Sequence, residues 1–215
     1  MKRKKMFNLT KWILTVVFAF GFFTVFSQQI QLGFNAGGNY SLFPLPEYNK
    51  YDGPSLGYTV GLSGQLRLKD HFFLSPEINF DYRVYRVKSS YLDAVSNSDE
   101  RTSLLQIATP LKYAIGSKKA FYGYAGPYLA YSLISYSHWT VNESYRKIDF
   151  NDIYARYQFG YLIGLGYTNK LSGNLNLFLD ANYSESLFFF GEGEKGNRNS
   201  SKAIRLRTGL LFTIR

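Results

Sequence analysis

The 215-residue chain has no cysteine, two histidines, six prolines and, beyond one stretch near its start, no long apolar run. Without cysteine, a disulfide framework, a thiolate metal site, a thiol nucleophile and a lipoprotein anchor are excluded. His71 and His138 are far apart, and no cluster of His and carboxylates has transition-metal spacing. No metal and no cofactor is therefore expected. Acidic residues are also scarce, 15 against 25 Lys and Arg, for a formal charge of +10. What is plentiful is Tyr, Phe and Gly, at 19 each. Aromatic residues favour strands and Gly weakens helices, so the composition points to twisted β structure.

The basicity is concentrated at the start. Lys2, Arg3, Lys4, Lys5 and Lys11 lead into an apolar run from Trp12 to Phe26, followed by Ser27-Gln28. A basic segment, a short apolar segment and a small residue, in that order, read as a secretory signal peptide over residues 1–27, cleaved after Ser27. The run falls short of the ~18 to 20 residues of a membrane-spanning helix. Its removal takes away five basic and no acidic residues, leaving residues 28–215 with a formal charge of +5. The remaining charge gives no reason to expect nucleic-acid binding.

From Gln29 onward the dominant pattern has a period of two. In Tyr58–Leu68, Tyr58, Val60, Leu62, Leu66 and Leu68 fall on one side of an extended strand, opposite Thr59, Gly61, Ser63, Gln65 and Arg67. The same alternation marks a strand from Ile30 to Tyr40 before it. After it come strands over Phe72–Val84, Leu105–Ile115, Phe121 to about Leu133, Ile153–Tyr167, Leu175–Tyr183 and Ile204–Ile214. The fifth is aromatic on both faces and its facing is left open, although Tyr122, Tyr124 and Tyr128 fit an inward set. Pro110 is awkward inside the fourth. Polar or Pro- and Gly-rich stretches at Leu42–Gly57, Lys88–Arg101, Ser135–Asp152 and Gly191–Ser201 read as long loops. Short turns at Lys69-Asp70, Ser117–Lys119 and Asn169–Gly173 alternate with them.

Eight strands joined alternately by long and short connections fit an all-β, antiparallel, up-and-down transmembrane barrel with external loops and periplasmic turns. A barrel in water hides its apolar face, whereas a barrel in lipid shows it. The wet face carries Arg67, Glu77, Asp81, Arg83, Lys112, Arg156, Asp180, Arg205 and Arg207. On the lipid side each Arg or Lys near the bilayer centre would cost ~2 to 4 kcal/mol, so this set is expected inside as a mixed-sign network filling a narrow lumen. Tyr40, Tyr58, Tyr82, Tyr113, Tyr167 and Tyr183 lie near strand ends on the apolar face, as interfacial girdle rings do.

The signal peptide followed in order by LGFNAGGNYS, YTVGLSGQL, FFLSPEINFDYR, LLQIATPLKYAIG, FYGYAGPYLAYSL, FGYLIGLGY and LDANYSESL resembles the outer-membrane β-barrel family that includes the PorT-like proteins. Its most specific pieces are the Gly-rich first strand, S-P-E at Ser75–Glu77 with Tyr82, Ile107–Tyr113, and Ala-Gly-Pro-Tyr at Ala125–Tyr128. The resemblance covers the whole mature chain. It implies residence in the outer membrane among lipids and lipopolysaccharide, insertion by the barrel-assembly machinery, and a link to envelope or secretion proteins. Such chains usually end on an aromatic residue, whereas here Thr-Ile-Arg follows Phe212.

Chemistry is harder to find. Some small outer-membrane barrels are enzymes with a His and an acid at the external rim, and His138 has Ser137, Glu143, Asp149 and Asp152 nearby in sequence. Beside Trp139 in a hydrated stretch, this His reads as an interface residue, and no enzyme is expected. Glu192 and Glu194 read as part of a solvated loop. Three function classes follow: a structural or interaction barrel first, a narrow pore for small solutes second, and a rim hydrolase or acyltransferase acting on envelope lipid third. Mass spectrometry of the exported chain should find Gln28 as its first residue. Retention of the Trp12–Phe26 run would refute the signal-peptide reading.

Overall fold

The computed structural model describes residues 29–42, 49–51, 55–91, 94–116, 120–141, 144–149, 156–190 and 201–214. The signal peptide, the start of the sixth expected strand at 153–155 and loop residues 191–200 lie outside them. Among the described residues the elements are β1 (Ile30–Leu42), β2 (Asn49–Tyr51), β3 (Leu56–Lys69), β4 (Phe72–Leu74), β5 (Glu77–Tyr91) and β6 (Ala94–Ala108). They continue with β7 (Leu111–Ile115), β8 (Phe121–Val141), β9 (Ser144–Asp149), β10 (Tyr157–Ser172), β11 (Leu175–Phe190) and β12 (Lys202–Ile214).

These segments make eight staves. The first two are β1 and β3, the third is β4 continued by β5, and the fourth is β6 continued by β7; β8, β10, β11 and β12 are the fifth to eighth. Each stave pairs antiparallel with the next, and β12 returns to β1 along 13 residue pairs from Ile30↔Ile214 to Leu42↔Lys202. The sheet thus closes into the expected up-and-down barrel.

The third and fourth staves are interrupted at Ser75-Pro76 and Thr109-Pro110, because proline has no N–H to give to the ladder. The carbonyls still serve. Pro76, Pro110 and Pro127 accept from the amides of Gly64, Ser75 and Thr109 at 2.7, 2.9 and 3.3 Å.

Two of the expected long loops are largely strand. β5 and β6 pair without a break as far as Tyr91↔Ala94, and β8 extends to Val141, where it pairs with β6 on one side and β9 on the other. β2 adds to β5 at Asn49–Tyr51. The sheet therefore continues past the lipid-facing wall at its long-loop end. The sequence of β5 and β6 there, such as KSS at 88–90 and SNSDER at 96–101, has no apolar alternation, which is why it reads as loop.

Along the wall the faces are inverted relative to a water-soluble barrel. Leu62 is 64% exposed and Leu165 69%, while Arg83 and Asp81 on the opposite face are completely buried. Leu66 keeps the outward side, because β3 pairs with β1 without a register shift, but unlike its outward neighbours it is buried, opposite Ile30 and Leu74.

The fifth stave, whose facing the sequence left open, turns Tyr122, Tyr124 and Tyr128 inward. Their cross-strand partners on β10 are Gly166, Gly164 and Gly160. A Cβ at Gly164 would stand 2.6 Å from the Tyr124 ring, and one at Gly160 would stand 2.8 Å from the Tyr128 ring. The glycine row leaves the space that the tyrosine rings occupy, an arrangement in which aromatic rings cover strand glycines. Gly164→Val should therefore lower barrel stability by about 1 to 3 kcal/mol, the usual cost of overpacking. Urea titration of the heat-shifted folded band on unboiled gels measures it, and an unchanged midpoint would contradict this packing.

Candidate functional site

Alternation places polar side chains from every stave in one lumen, and register then decides which of them meet. Asp180 on β11 is directly opposite Arg207 on β12. The Arg207 guanidinium donates to both Asp180 oxygens, at 2.9 and 3.0 Å, and to both Glu77 oxygens, at 2.6 and 3.3 Å. It also donates to the Tyr124 hydroxyl at 3.1 Å. Two carboxylates and a phenol thus surround one buried cation. Lys112 completes this layer, donating to Gln65 Oε1 at 3.0 Å with its ammonium 3.5 Å from the centre of the Tyr122 ring. A void of about 20 Å³ remains beside Lys112, about the volume that a single water needs.

A second layer lies toward the long loops. Arg205 and Arg83 both donate to Asp81 Oδ2, at 2.7 and 3.1 Å. Arg205 also bonds Gln106 and, at 3.4 Å, Asn182, while Arg83 bonds Ser201 Oγ at 2.7 Å. Two cations here share one carboxylate. Arg83 Nε, Arg205 Nε and Gln106 Nε2 are buried with no hydrogen-bond partner.

Several of the bonds run as chords between staves that are not neighbours. Arg207 and Arg205 on the eighth stave reach the third, Tyr128 on the fifth bonds Ser186 on the seventh at 2.8 Å, and Asn35 on the first bonds Asn79 on the third at 3.0 Å. Such groups sit in a medium where an unpaired charge costs several kcal/mol, so each chord also braces the ring.

Seven of the nine charges expected in the lumen are buried there: Glu77, Asp81, Arg83, Lys112, Asp180, Arg205 and Arg207. Arg67 is instead at the short-turn rim, 33% exposed and 4.0 Å from Asp70, far down β3 from the carboxylates. Arg156 is exposed, 3.5 Å from the Tyr131 hydroxyl. It precedes the first residue of β10 and so need not follow that strand's alternation. The lumen also holds Leu104, Leu162, Phe178 and Leu211, inward apolar residues that a search for polar inward positions overlooks.

Outside, the rings gather at two levels. At the short-turn end Phe72 packs on Tyr113 and Phe121 on Tyr167, both pairs with centroids 5.0 Å apart. At the other end Tyr58 stacks on Tyr82 at 5.2 Å, Tyr161 and Tyr183 both donate to Glu185 Oε2 at 2.8 and 2.9 Å, and Tyr40 is exposed. His138 is on β8 beyond this level, with its backbone paired to Asp99 and Lys147. Among the described residues no group of three His, Cys, Asp or Glu is placed to hold a metal ion.

An apolar belt between two aromatic levels, around a lumen crossed by buried ion pairs, defines the class: an integral membrane β-barrel. The chain belongs to the family described as outer membrane protein beta-barrel domain, which matches residues 26–189, and it resides in the outer membrane. Similar solved structures include Neisserial surface protein A, 14% identical with a TM-score of 0.47 over 85% of this chain and 96% of that one. Ail, the attachment invasion locus protein of Yersinia pestis, is 13% identical with a TM-score of 0.40, over 85% of this chain and 98% of that one. OprG from Pseudomonas aeruginosa is 14% identical with a TM-score of 0.38, over 87% of this chain and 95% of that one. No curated protein matches.

Replacing Arg207 with Met strands two buried carboxylates and should cost about 3 to 5 kcal/mol in urea unfolding. Adding Glu77→Gln and Asp180→Asn to that variant should recover part of the loss, and no recovery would show that the pairs are not the cause.

Proposed function

We propose that this chain is a non-enzymatic outer-membrane barrel that acts as a structural and interaction component of the envelope, with its lumen shut. The observation that carries the reading is the Arg207 centre, where one buried guanidinium ties carboxylates from two staves across the lumen. The barrel is the mount, and the hairpins β5–β6 and β8–β9 beyond the aromatic level are what it presents. A partner from an envelope or secretion assembly would be met there, by strands whose backbone is already paired. Lipid and lipopolysaccharide surround the wall, and the barrel-assembly machinery inserts it.

A narrow pore is the second reading. It is favoured by the unpartnered donors of Arg83, Arg205 and Gln106 in the upper layer, which suit a transient water file. Conductance separates the two. Purified wild-type protein in planar bilayers should show no steady open current, while Glu77→Ala with Asp180→Ala, which removes the partners of Arg207, should raise the frequency of openings. A steady open current from the wild-type protein would establish the pore instead.

A further inference from the structure

At the short-turn end the lumen opens into a vestibule of about 660 Å³, with Gln29, Gln31, Asn174, Asn176, Arg67 and Lys170 among its lining. Along β11 the inward side chains run Asn176, Phe178, Asp180, and along β12 they run Thr213, Leu211, Gly209, Arg207. The buried Phe178 and Leu211 thus stand on these strands between the vestibule residues and Asp180 and Arg207. The volume lies within the ~300 to 1,000 Å³ typical of small-ligand sites.

Its chemistry is one-sided. Four carboxamides, the Thr213 hydroxyl and two cations line it, and among the described residues its lining includes no carboxylate side chain. Arg67 is on the second stave and Lys170 at the end of the sixth, so the two cations face each other across the ring. Asp70 lies 4.0 Å from Arg67 at a position 76% open to water, where an ion pair holds weakly. Short turns of outer-membrane barrels face the periplasm.

We propose that this vestibule docks the peptide stems of peptidoglycan. A ring of eight staves excludes a folded protein surface but admits the free end of a short extended chain. Such a stem offers amides to the Gln and Asn side chains and carboxylates to Arg67 and Lys170. The site is at the opposite end from the hairpins and does not depend on the role given to them.

The test co-sediments the folded mature barrel, in detergent micelles, with purified peptidoglycan sacculi. Wild type should pellet with intact sacculi, and binding should fall about tenfold in an Arg67→Glu/Lys170→Glu variant and with rising salt. It should fall equally on sacculi whose stems have been removed by an amidase. The heat-shifted gel band reports that the variant is folded, and Lys170→Glu alone, at an exposed position near the end of β10, replaces it if the double variant is not. Equal pelleting with stripped sacculi, equal pelleting of the folded variant, or no pelleting above an unrelated barrel would each overturn the proposal. So would binding of polyglutamate without binding of sacculi, which would indicate an acidic protein segment instead.

Discussion

A backbone in lipid has no water to satisfy its N–H and C=O groups, so every one of them along the wall must find another strand. The pairing of β12 with β1 meets that demand for the two strands that would otherwise be edges. Most other features follow from it. Closure with only eight staves makes the interior narrow, a narrow interior must be filled by side chains, and period-two alternation supplies them from the same strands that coat the outside with Leu, Ile and Val. Even the prolines obey it, interrupting staves where their carbonyls can still accept.

The lumen then has a stability problem of its own. Buried ion pairs are weak contributors when set against well-packed apolar groups, because desolvation offsets most of their attraction. Their value here is geometric. Wall hydrogen bonds join each stave only to its neighbours, whereas the Arg207, Arg205 and Tyr128 bonds join staves across the ring and resist its flattening. The two layers differ in kind. The lower one is balanced and enclosed by Tyr122 and Tyr124, and the upper one asks a single Asp81 oxygen to serve two arginines. If the interior loosens anywhere, the upper layer is the place.

How much of this the sequence disclosed depended on whether a residue's environment differs between the faces of its strand. Where lipid lies on one side and a polar lumen on the other, as at Val60 and Arg205, alternation located the stave and its orientation. Where the residues are polar on both faces, as in the outer halves of β5 and β6, there is no alternation to read and strand passed for loop. Where rings lie on both faces, as in β8, the phase was hidden until the glycine row of β10 showed which tyrosines needed space. The membership of the network was largely readable, apart from Arg67 and Arg156 near strand ends. Its pairings were not, because which acid meets which arginine depends on the stagger between staves far apart in sequence.

The same alternation matters before any barrel exists. A chain bound for the outer membrane first crosses the inner one, where a continuous apolar stretch of helix length would be held back as a transmembrane segment. Interleaving Leu177, Leu179 and Ala181 with Asn176, Asp180 and Asn182 keeps any such stretch from forming. The residues that later bond across the lumen thus make the unfolded chain polar enough to be exported, and its hydrophobic surface comes into being only when the strands line up.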